Sequence, residues 1–298
     1  MRIGVDLGGS KIEIVALGDD GRELLRRRVA TPQGDYAATV RAVADLVAAA
    51  EKTVGARALC GQATVGIGIP GAESPDSGLI KNANSTCLIG RPLKHDLQEL
   101  LQREVRVAND AHCFALSEAS DGAGAGAQVV FGVILGTGVG GGIVVDGKVL
   151  NGANAIAGEW GHNPLPGEPH HETCYCGRQG CIELYLSGPG LAADHLRTTG
   201  TVLPAAEIAL RATAGNAECG ATLQRYEARL ARALALVINI LDPEVIVLGG
   251  GLSNIDRLYD KVPRLWAADV FSGRVATRLL KHRHGDSSGV RGAAWLWP

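Results

Sequence analysis

Three of the seven cysteines in this 298-residue chain lie within eight positions, at Cys174, Cys176 and Cys181. Cys174 and Cys176 are too close for an unstrained disulfide, and pairing either with Cys181 leaves one thiol over. The spacing also contains no C-x-x-C redox pair. Zinc bound by thiolates remains, and it requires a fourth ligand. Three upstream histidines are candidates for that ligand: His162, His170 and His171.

Glycine-rich turns are the second feature with chemical meaning, because the 41 glycines cluster in short loops between apolar runs. Gly8-Gly9 and Gly136-Thr137-Gly138 each separate two strand-like runs, and Gly249-Gly250-Gly251 follows a third. Backbone N–H groups in such turns form a concavity that suits phosphate. Two facing hairpins, with Asp6 holding a hydrated Mg²⁺, would clamp a nucleoside triphosphate.

Two other nucleotide sites are excluded by the same glycines. The run from Gly136 to Gly141 satisfies G-x-G-x-x-G, and Glu159 lies near the spacing of a ribose-binding acid. That fingerprint requires a helix after the glycines, whereas Ile143-Val144-Val145 before an Asp-Gly turn predicts a strand. A P-loop is excluded because no G-x-x-x-x-G-K-[ST] segment occurs.

A carboxylate at a junction of two elements is the third feature. Residues 104–108 alternate as a strand does, Asn109 and Asp110 follow, and residues 111–119 have a helix-like composition. Either polar residue could simply cap the helix. A carboxylate held at this junction could instead act as a general base, and the residues alone leave both interpretations open.

The elements that must position these groups follow a repeated pattern. Residues 3–25 predict three antiparallel strands joined by a glycine pair and an Asp-Gly turn, and residues 131–150 repeat the arrangement. Residues 36–52 and 225–240 have apolar side chains at helical spacing. Strands interleaved with helices predict an α/β protein built from two related halves. The loop from about residue 164 to 173 is expected to be exposed.

Composition excludes several classes of partner. The formal net charge is -2 and the 29 basic residues are spread along the chain, so neither nucleic acid nor an anionic membrane surface is expected as a partner. The N-terminus lacks the apolar region of a signal peptide, and no apolar run approaches the roughly 20 residues of a membrane span. We therefore expect a cytoplasmic protein.

Taken together, these motifs carry a family resemblance. The segment 6–11 (DLGGSK), the 136–138 turn and the triple glycine resemble the phosphate and adenosine motifs of the sugar kinase/actin-like ATPase superfamily. Segments 159–162 (EWGH) and 174–183 (CYCGRQGCIE) are similar to the ROK family of sugar kinases. Within that family, KNANST, GEWGHNPLP and the terminal HGDSSGVRGAAWLWP resemble bacterial fructokinases of the manno(fructo)kinase type.

The resemblance covers essentially the whole chain and implies a fold. It implies two actin-like, ribonuclease-H-like α/β domains flanking a cleft in which ATP and sugar meet. The smaller domain would comprise residues 1–117 plus 287–298, and the larger, residues 118–286, would carry the zinc-bound loop. The family also implies a homodimer.

The implied activity is transfer of the γ-phosphate of ATP to the C6 hydroxyl of fructose, with Asp110 as general base. Mannose, glucose or an N-acetylhexosamine are alternative acceptors. A non-catalytic sugar-binding regulator is an alternative of a different class. Such regulators carry a DNA-binding segment ahead of the first glycine motif, which here begins at residue 3, so we expect none.

The resemblance also implies the residues of the site. The expected sugar contacts are Asn84, Asn109, Glu159, His162 and Glu183. The expected contacts to ATP and Mg²⁺ are Asp6, Gly8, Gly9, Ser10, Lys11, Gly136, Thr137, Gly138, Gly249, Gly250 and Gly251.

The family selects His162 as the fourth ligand of a structural zinc, beside Cys174, Cys176 and Cys181. An imidazole that binds metal through one nitrogen keeps the other for a sugar hydroxyl, which supports that choice. One departure concerns Cys87, which stands where related fructokinases carry Trp after N-x-N-S-T. If that aromatic closes the sugar pocket, its absence affects the choice of sugar.

Overall fold

A computed structural model of the protein describes residues 1–55, 63–83, 85–169 and 172–297. Asn84, His170 and His171 lie outside the described residues, so the roles predicted for them stay predictions. The strands are β1 Arg2–Leu7, β2 Lys11–Leu17, β3 Glu23–Ala30, β4 Thr64–Ile69, β5 Ala72–Glu73, β6 Ile80–Lys81, β7 Val105–Asn109, β8 Val129–Leu135, β9 Val139–Val145, β10 Lys148–Val149, β11 Val245–Gly249 and β12 Arg278–Lys281. The helices are α1 Tyr36–Gly55, α2 Leu93–Leu101, α3 Asp110–Ser120, α4 Glu183–Leu186, α5 Gly188–Thr199, α6 Ala205–Thr213, α7 Ala217–Leu241, α8 Leu258–Trp266 and α9 Ser288–Ala294.

The two main sheets have the same topology. The first has the strand order β3-β2-β1-β4-β7, and the second has the order β10-β9-β8-β11-β12. In each sheet an antiparallel meander is extended by two parallel strands, β4 and β7 in the first and β11 and β12 in the second. The predicted repeat of strand, glycine turn, strand, Asp-Gly turn and strand is therefore present in both halves.

The first sheet holds its helices through one continuous apolar core. The strands β1, β2 and β4 are rich in Val and Ile, which suit the pleated surface, and most of their side chains are buried. Helix α1 buries Val40, Val43 and Val47 against them, as its helical spacing predicts. Burial of each such side chain stabilises the folded state by about 1.5–3 kcal/mol, and this core supports the two strands that the first glycine turn connects.

Helix α3 lies between the two halves. One side of α3 contacts α9, which packs on β1 and β4 of the first sheet, and the other side contacts β8 and β9 of the second. Small side chains allow the close approach, among them Cys113 of α3 and Ala293 of α9. The residue at the N-terminus of α3, Asp110, is therefore placed where both sheets can contribute groups to it.

The far end of α3 is fixed by a buried carboxylate. Glu118 accepts hydrogen bonds from the Ser288 hydroxyl at 2.8 Å and from the Arg283 backbone N–H at 3.0 Å. These bonds fasten the segment that leads into α9 to the helix that begins with Asp110. The domain boundaries that the sequence suggests, after residue 117 and before residue 287, stay a prediction. None of the helices in the described ranges is long and apolar enough to cross a membrane.

Candidate active site

Asp110 is the first residue of α3 and follows directly on strand β7. The side chain of Asn109 caps the helix by accepting the Ala111 backbone N–H at 2.9 Å, and Asp110 Oδ1 accepts the same N–H at 2.8 Å. Asn109 also donates to the Gly71 carbonyl at 3.1 Å. The capping interpretation is therefore confirmed for Asn109, and the same bonds hold Asp110 with its carboxylate open to a cavity.

The surroundings of Asp110 favour its protonated form more than water does. Protein atoms crowd the carboxyl on the sides away from the cavity, and this desolvation raises its pKa above the usual range. The negative charge of Glu159 also raises the pKa, whereas the hydrogen bond from the Ala111 backbone N–H lowers it. A carboxylate whose pKa is raised towards neutrality is a better proton acceptor than an exposed one.

Asp6, at the end of β1, shares this electrostatic environment. Burial first, and the charge of Asp110 second, raise the pKa of Asp6 to about 6. A carboxylate whose pKa is raised by a neighbouring carboxylate is stabilised in its ionised form by a nearby cation, and hard oxygen ligands suit Mg²⁺. The donor set around Asp6 and Asp110 therefore fits the predicted Mg²⁺.

A cavity of about 200 Å³ brings Asp110 together with four of the five residues predicted to contact sugar and with the 136–138 turn. Its lining includes Asn109, Asp110, Gly136, Thr137, Gly138, Glu159, His162 and Glu183. These residues come from β7, α3, the β8–β9 turn, the 3-10 helix Trp160–His162 and α4, which lie far apart in the chain. We call this space the acceptor cavity.

Among the lining residues that were not predicted from the sequence, Asn82 and Tyr175 have polar side chains that could contact a ligand. Asn82 adopts a left-handed backbone conformation, with φ of 55°, which a polar residue of its type tolerates. Tyr175 lies between two clustered cysteines, and that position is the signal that could have identified it.

Glu183 connects the acceptor cavity to the second glycine turn. Its Oε2 accepts the Val139 backbone N–H at 2.9 Å. A Cβ at Gly138 would lie 2.6 Å from the same oxygen, so a larger residue there would displace the carboxylate. The carboxylate that was predicted to contact sugar therefore also supports the turn that was predicted to contact phosphate.

The four predicted metal ligands converge. One ligand atom from each of His162, Cys174, Cys176 and Cys181 lies within 4.8 Å of the other three. Cys176 and Cys181 have their sulfurs 3.7 Å apart, and Cys174 Sγ lies 3.8 Å from His162 Nδ1. Tetrahedral zinc with bonds of about 2.3 Å to sulfur places two sulfurs about 3.8 Å apart, so this donor set fits zinc.

A second, larger cavity of about 1190 Å³ adjoins the first and shares Gly136 and Thr137 with it. Its wall combines apolar side chains of α6, such as Ala209 and Leu210, with Ile255. Basic side chains of Arg257 and Lys261 also line it. We call this space the nucleotide cavity, because its size, apolar wall and contact with the glycine turn suit a nucleotide.

The triple glycine divides between two tasks. Gly251 lines the nucleotide cavity, whereas Gly249 and Gly250 are absent from the lining that the structure describes. A Cβ on Gly249 would collide with the Phe114 ring, and one on Gly250, at φ of 79°, would collide with the Leu135 carbonyl. Gly249 and Gly250 therefore serve close packing, and the nucleotide contact predicted for all three glycines stays a prediction.

The first glycine turn lies apart from both cavities in the described residues. Gly8 N–H closes the turn by donating to the Lys11 carbonyl at 3.0 Å, and Ser10 lies between them. Gly9 lines a third cavity of about 200 Å³, together with Cys87. Cys87 is thus found beside the first turn, not in the lining of the acceptor cavity, although the comparison with Trp had suggested a place in the sugar pocket.

The fold and the paired cavities define a class, namely an α/β protein with the actin-like fold of sugar kinases. The ROK hexokinase from Thermus thermophilus has a TM-score of 0.87 and 30% sequence identity, with 99% of this chain and 97% of that chain covered. A ROK family glucokinase from Streptomyces griseus, in complex with glucose and AMPPNP, has a TM-score of 0.77 and 28% identity, with 98% and 97% covered.

The sequence comparisons give the family. A model of the ROK family matches residues 2–298. An N-acetyl-D-glucosamine kinase from Yersinia pseudotuberculosis serotype O:1b is 40% identical over 304 residues, covering 99% of this chain and 98% of the relative. An enzyme of the same name from Vibrio cholerae is also 40% identical, with 99% of each chain covered. The chain belongs to the ROK family, among its sugar kinases.

Proposed function

We propose that this protein is an ATP-dependent hexose kinase that phosphorylates the C6 hydroxyl of fructose, with Asp110 as general base. The observation that carries the proposal is the junction of the two cavities at Gly136 and Thr137, because Asp110 lines the smaller one. A phosphate in the turn and a hydroxyl at Asp110 would then meet.

Phosphoryl transfer depends mainly on positioning and on neutralisation of phosphate charge. Asp110 would accept a hydrogen bond from the acceptor hydroxyl and take its proton as the new oxygen–phosphorus bond forms. Glu159, His162 and Glu183 offer two carboxylates and an imidazole, which suit the hydroxyls of a sugar. The N–H groups of the 136–138 turn would hold the transferred phosphate.

Asp6 and Asp110 would hold Mg²⁺ directly or through its water. Bound there, the ion would supply positive charge to neutralise the charge that develops on the phosphate groups of ATP. The raised pKa of Asp6 follows partly from the charge of Asp110, and a cation beside both would lower the free energy of the ionised pair.

A structural zinc bound by His162, Cys174, Cys176 and Cys181 forms a further part of the proposal. When bound, zinc fixes a loop and does not react with the sugar. The 4.8 Å limit on the spacing of the four ligand atoms supports this set. Glu183 lies two residues after Cys181, so the same ion would fix the carboxylate that supports the glycine turn.

Fructose as the preferred acceptor rests on the resemblance of KNANST, GEWGHNPLP and the C-terminal motif to bacterial fructokinases. N-acetyl-D-glucosamine is the second candidate acceptor, because relatives that are 40% identical over nearly the whole chain carry the name N-acetyl-D-glucosamine kinase. The two sugars differ in the position of their carbonyl carbon, and only N-acetyl-D-glucosamine carries an acetamido group, so they make demands on the cavity that can be separated.

A coupled assay of ADP release across fructose, mannose, glucose, N-acetyl-D-glucosamine and N-acetyl-D-mannosamine tests the proposal. We expect the highest kcat/KM with fructose. A preference for N-acetyl-D-glucosamine would replace fructose by the second candidate. Absence of ADP release with every sugar, in a preparation that binds one of them calorimetrically, would contradict the kinase and favour a non-catalytic sugar-binding regulator. The homodimer that the resemblance implies stays a prediction, and light scattering would test it by measuring the molar mass in solution.

A further inference from the structure

Tyr175 is a large side chain that lines the acceptor cavity, although 79% of it is exposed to solvent. It lies in a tight turn in which the Gly177 N–H donates to the Cys174 carbonyl at 2.9 Å and the Cys174 N–H donates to the Arg178 carbonyl at 2.7 Å. The backbone on both sides of the tyrosine is therefore held by the turn and by the clustered cysteines. Its ring is free on the solvent side and faces the cavity on the other.

The ring is held against His162. The two ring centroids lie 5.3 Å apart at an interplanar angle of 85°, which is the favourable edge-on geometry. The phenol oxygen lies 3.2 Å from His162 Nε2. His162 Nδ1 faces Cys174 on the other side, so Nε2 is the ring nitrogen that remains for a sugar.

The phenol therefore occupies the place next to Nε2 that a sugar hydroxyl would need. A sugar that enters must share this nitrogen with Tyr175 or move the phenol aside by a small rotation. Room for a hydroxyl can be made in this way, because a hydroxyl is comparable in size to the phenol oxygen itself. An acetamido group is several atoms larger and would meet the ring.

We propose, on the basis of the proposed function, that Tyr175 is the residue that selects the acceptor. Its ring forms the outer wall of the acceptor cavity beside His162 and favours hexoses with a hydroxyl at that wall over those with an acetamido group. Tyr175 selects by steric exclusion and takes no part in proton transfer, so it is a specificity residue rather than a catalytic one.

The test compares three substitutions of Tyr175 by their ratio of kcat/KM for N-acetyl-D-glucosamine to kcat/KM for fructose. Tyr175→Ala removes the wall and should raise this ratio at least about tenfold, the scale on which pockets discriminate by size. Tyr175→Phe keeps the ring and should leave the ratio within about twofold, because the wall stays in place. Tyr175→Trp enlarges the wall and should lower the ratio.

The matched control is Phe271→Ala, which removes an aromatic ring that is 100% exposed and lies outside the lining of the acceptor cavity. Calorimetric binding of both sugars without ATP, together with the zinc content of each variant, gives a readout that is independent of turnover. An unchanged ratio in Tyr175→Ala, or an equal change in Tyr175→Phe and Tyr175→Ala, would overturn the proposal. Because wild-type turnover decides the kinase and the variant ratios decide the wall, the two proposals fail separately.

Discussion

Glu183 accepts a hydrogen bond from the backbone N–H of Val139, with the two atoms 2.9 Å apart. This bond joins α4, which begins two residues after the last clustered cysteine, to the strand that follows the 136–138 turn. The cysteine–histidine cluster, the acceptor cavity and the glycine turn are therefore structurally connected through Glu183. A change at the cluster should reach the turn, and the predictions below use this coupling.

Asp110→Asn should lower kcat by about 10²–10⁴-fold while the affinity for sugar changes little, because the amide keeps the shape of the side chain but cannot accept the proton. Single-turnover kinetics and calorimetric sugar binding measure the two effects separately. Asp146→Asn, in an exposed turn at φ of 49°, is the matched control and should behave as wild type. An Asp110→Asn enzyme that retains most of its kcat would refute the assignment of the general base.

Asp6→Asn should stabilise the protein at high pH and weaken its use of Mg²⁺ and ATP. Because the pKa of Asp6 rises from 3.8 to about 6 on folding, the folded state binds this proton more tightly than the unfolded chain. Raising the pH from about 4 to 6 therefore lowers stability, by at most about 3 kcal/mol. The asparagine variant lacks this loss.

Thermal unfolding at two pH values measures the effect. The Tm of Asp6→Asn should exceed that of wild type at pH 8 and match it near pH 4, where Asp6 of the folded wild type is protonated. The exposed Asp76→Asn serves as control and should match wild type at both values. If the Tm of Asp6→Asn lies equally far below that of wild type at both pH values, burial does not set the pKa of Asp6.

Removal of the metal should raise the acceptor KM and lower Tm together, because the cluster fixes His162 and, through α4, Glu183. Cys181→Ser should bind less than one equivalent of zinc and reproduce both effects in the absence of a chelator. Cys219→Ser replaces a buried cysteine of α7 outside the cluster and should keep its zinc and its KM. Full activity in a zinc-free preparation would contradict this prediction.

Gly250→Ala and Gly251→Ala should separate folding from nucleotide binding. The first substitution places a Cβ against the Leu135 carbonyl at a positive φ and should lower the free energy of unfolding by about 1–3 kcal/mol or more. The second meets nothing within 4 Å, so stability should change by less than about 0.5 kcal/mol. Because Gly251 lines the nucleotide cavity, its variant should instead raise the KM for ATP.

Denaturant unfolding measures the free energy of unfolding of both variants, and ATP titration measures their KM for ATP. Gly250→Ala should change mainly the first quantity and Gly251→Ala mainly the second. If both variants lose stability equally, the division of the triple glycine is wrong.

Several elements could be predicted from the sequence because their signals are local. The meander of β1 to β3 follows from alternating apolar runs and glycine turns, and it is present, although β3 continues beyond the predicted end to Ala30. Helix α7 was predicted from residue 225 but begins at Ala217. Its cap, in which Asn216 accepts the Cys219 N–H, is also a local signal, but Gly220 in the first turns obscured it.

Strand β9 shows the opposite case. The sequence predicted the glycine turn at residues 136–138 and a strand over Ile143-Val144-Val145, yet the strand begins at Val139 and runs through Gly140 and Gly141. Helix α3 packs so closely here that a Cβ on Gly142 would meet Ala115 at 2.9 Å. Glycine in this strand is a consequence of a helix more than twenty residues away, which no local pattern reveals.

The amino-acid sequence by itself determined the repeated strand pattern, the helix cap before Asp110 and the spacing of the three cysteines, because each depends on neighbours within a few residues. Only the tertiary structure decided that His162 completes the cysteine cluster within the described residues, that Glu183 supports the 136–139 backbone, and that Tyr175 covers the acceptor cavity. These relationships depend on distances across two packed sheets, and such distances are set by the burial of the whole chain.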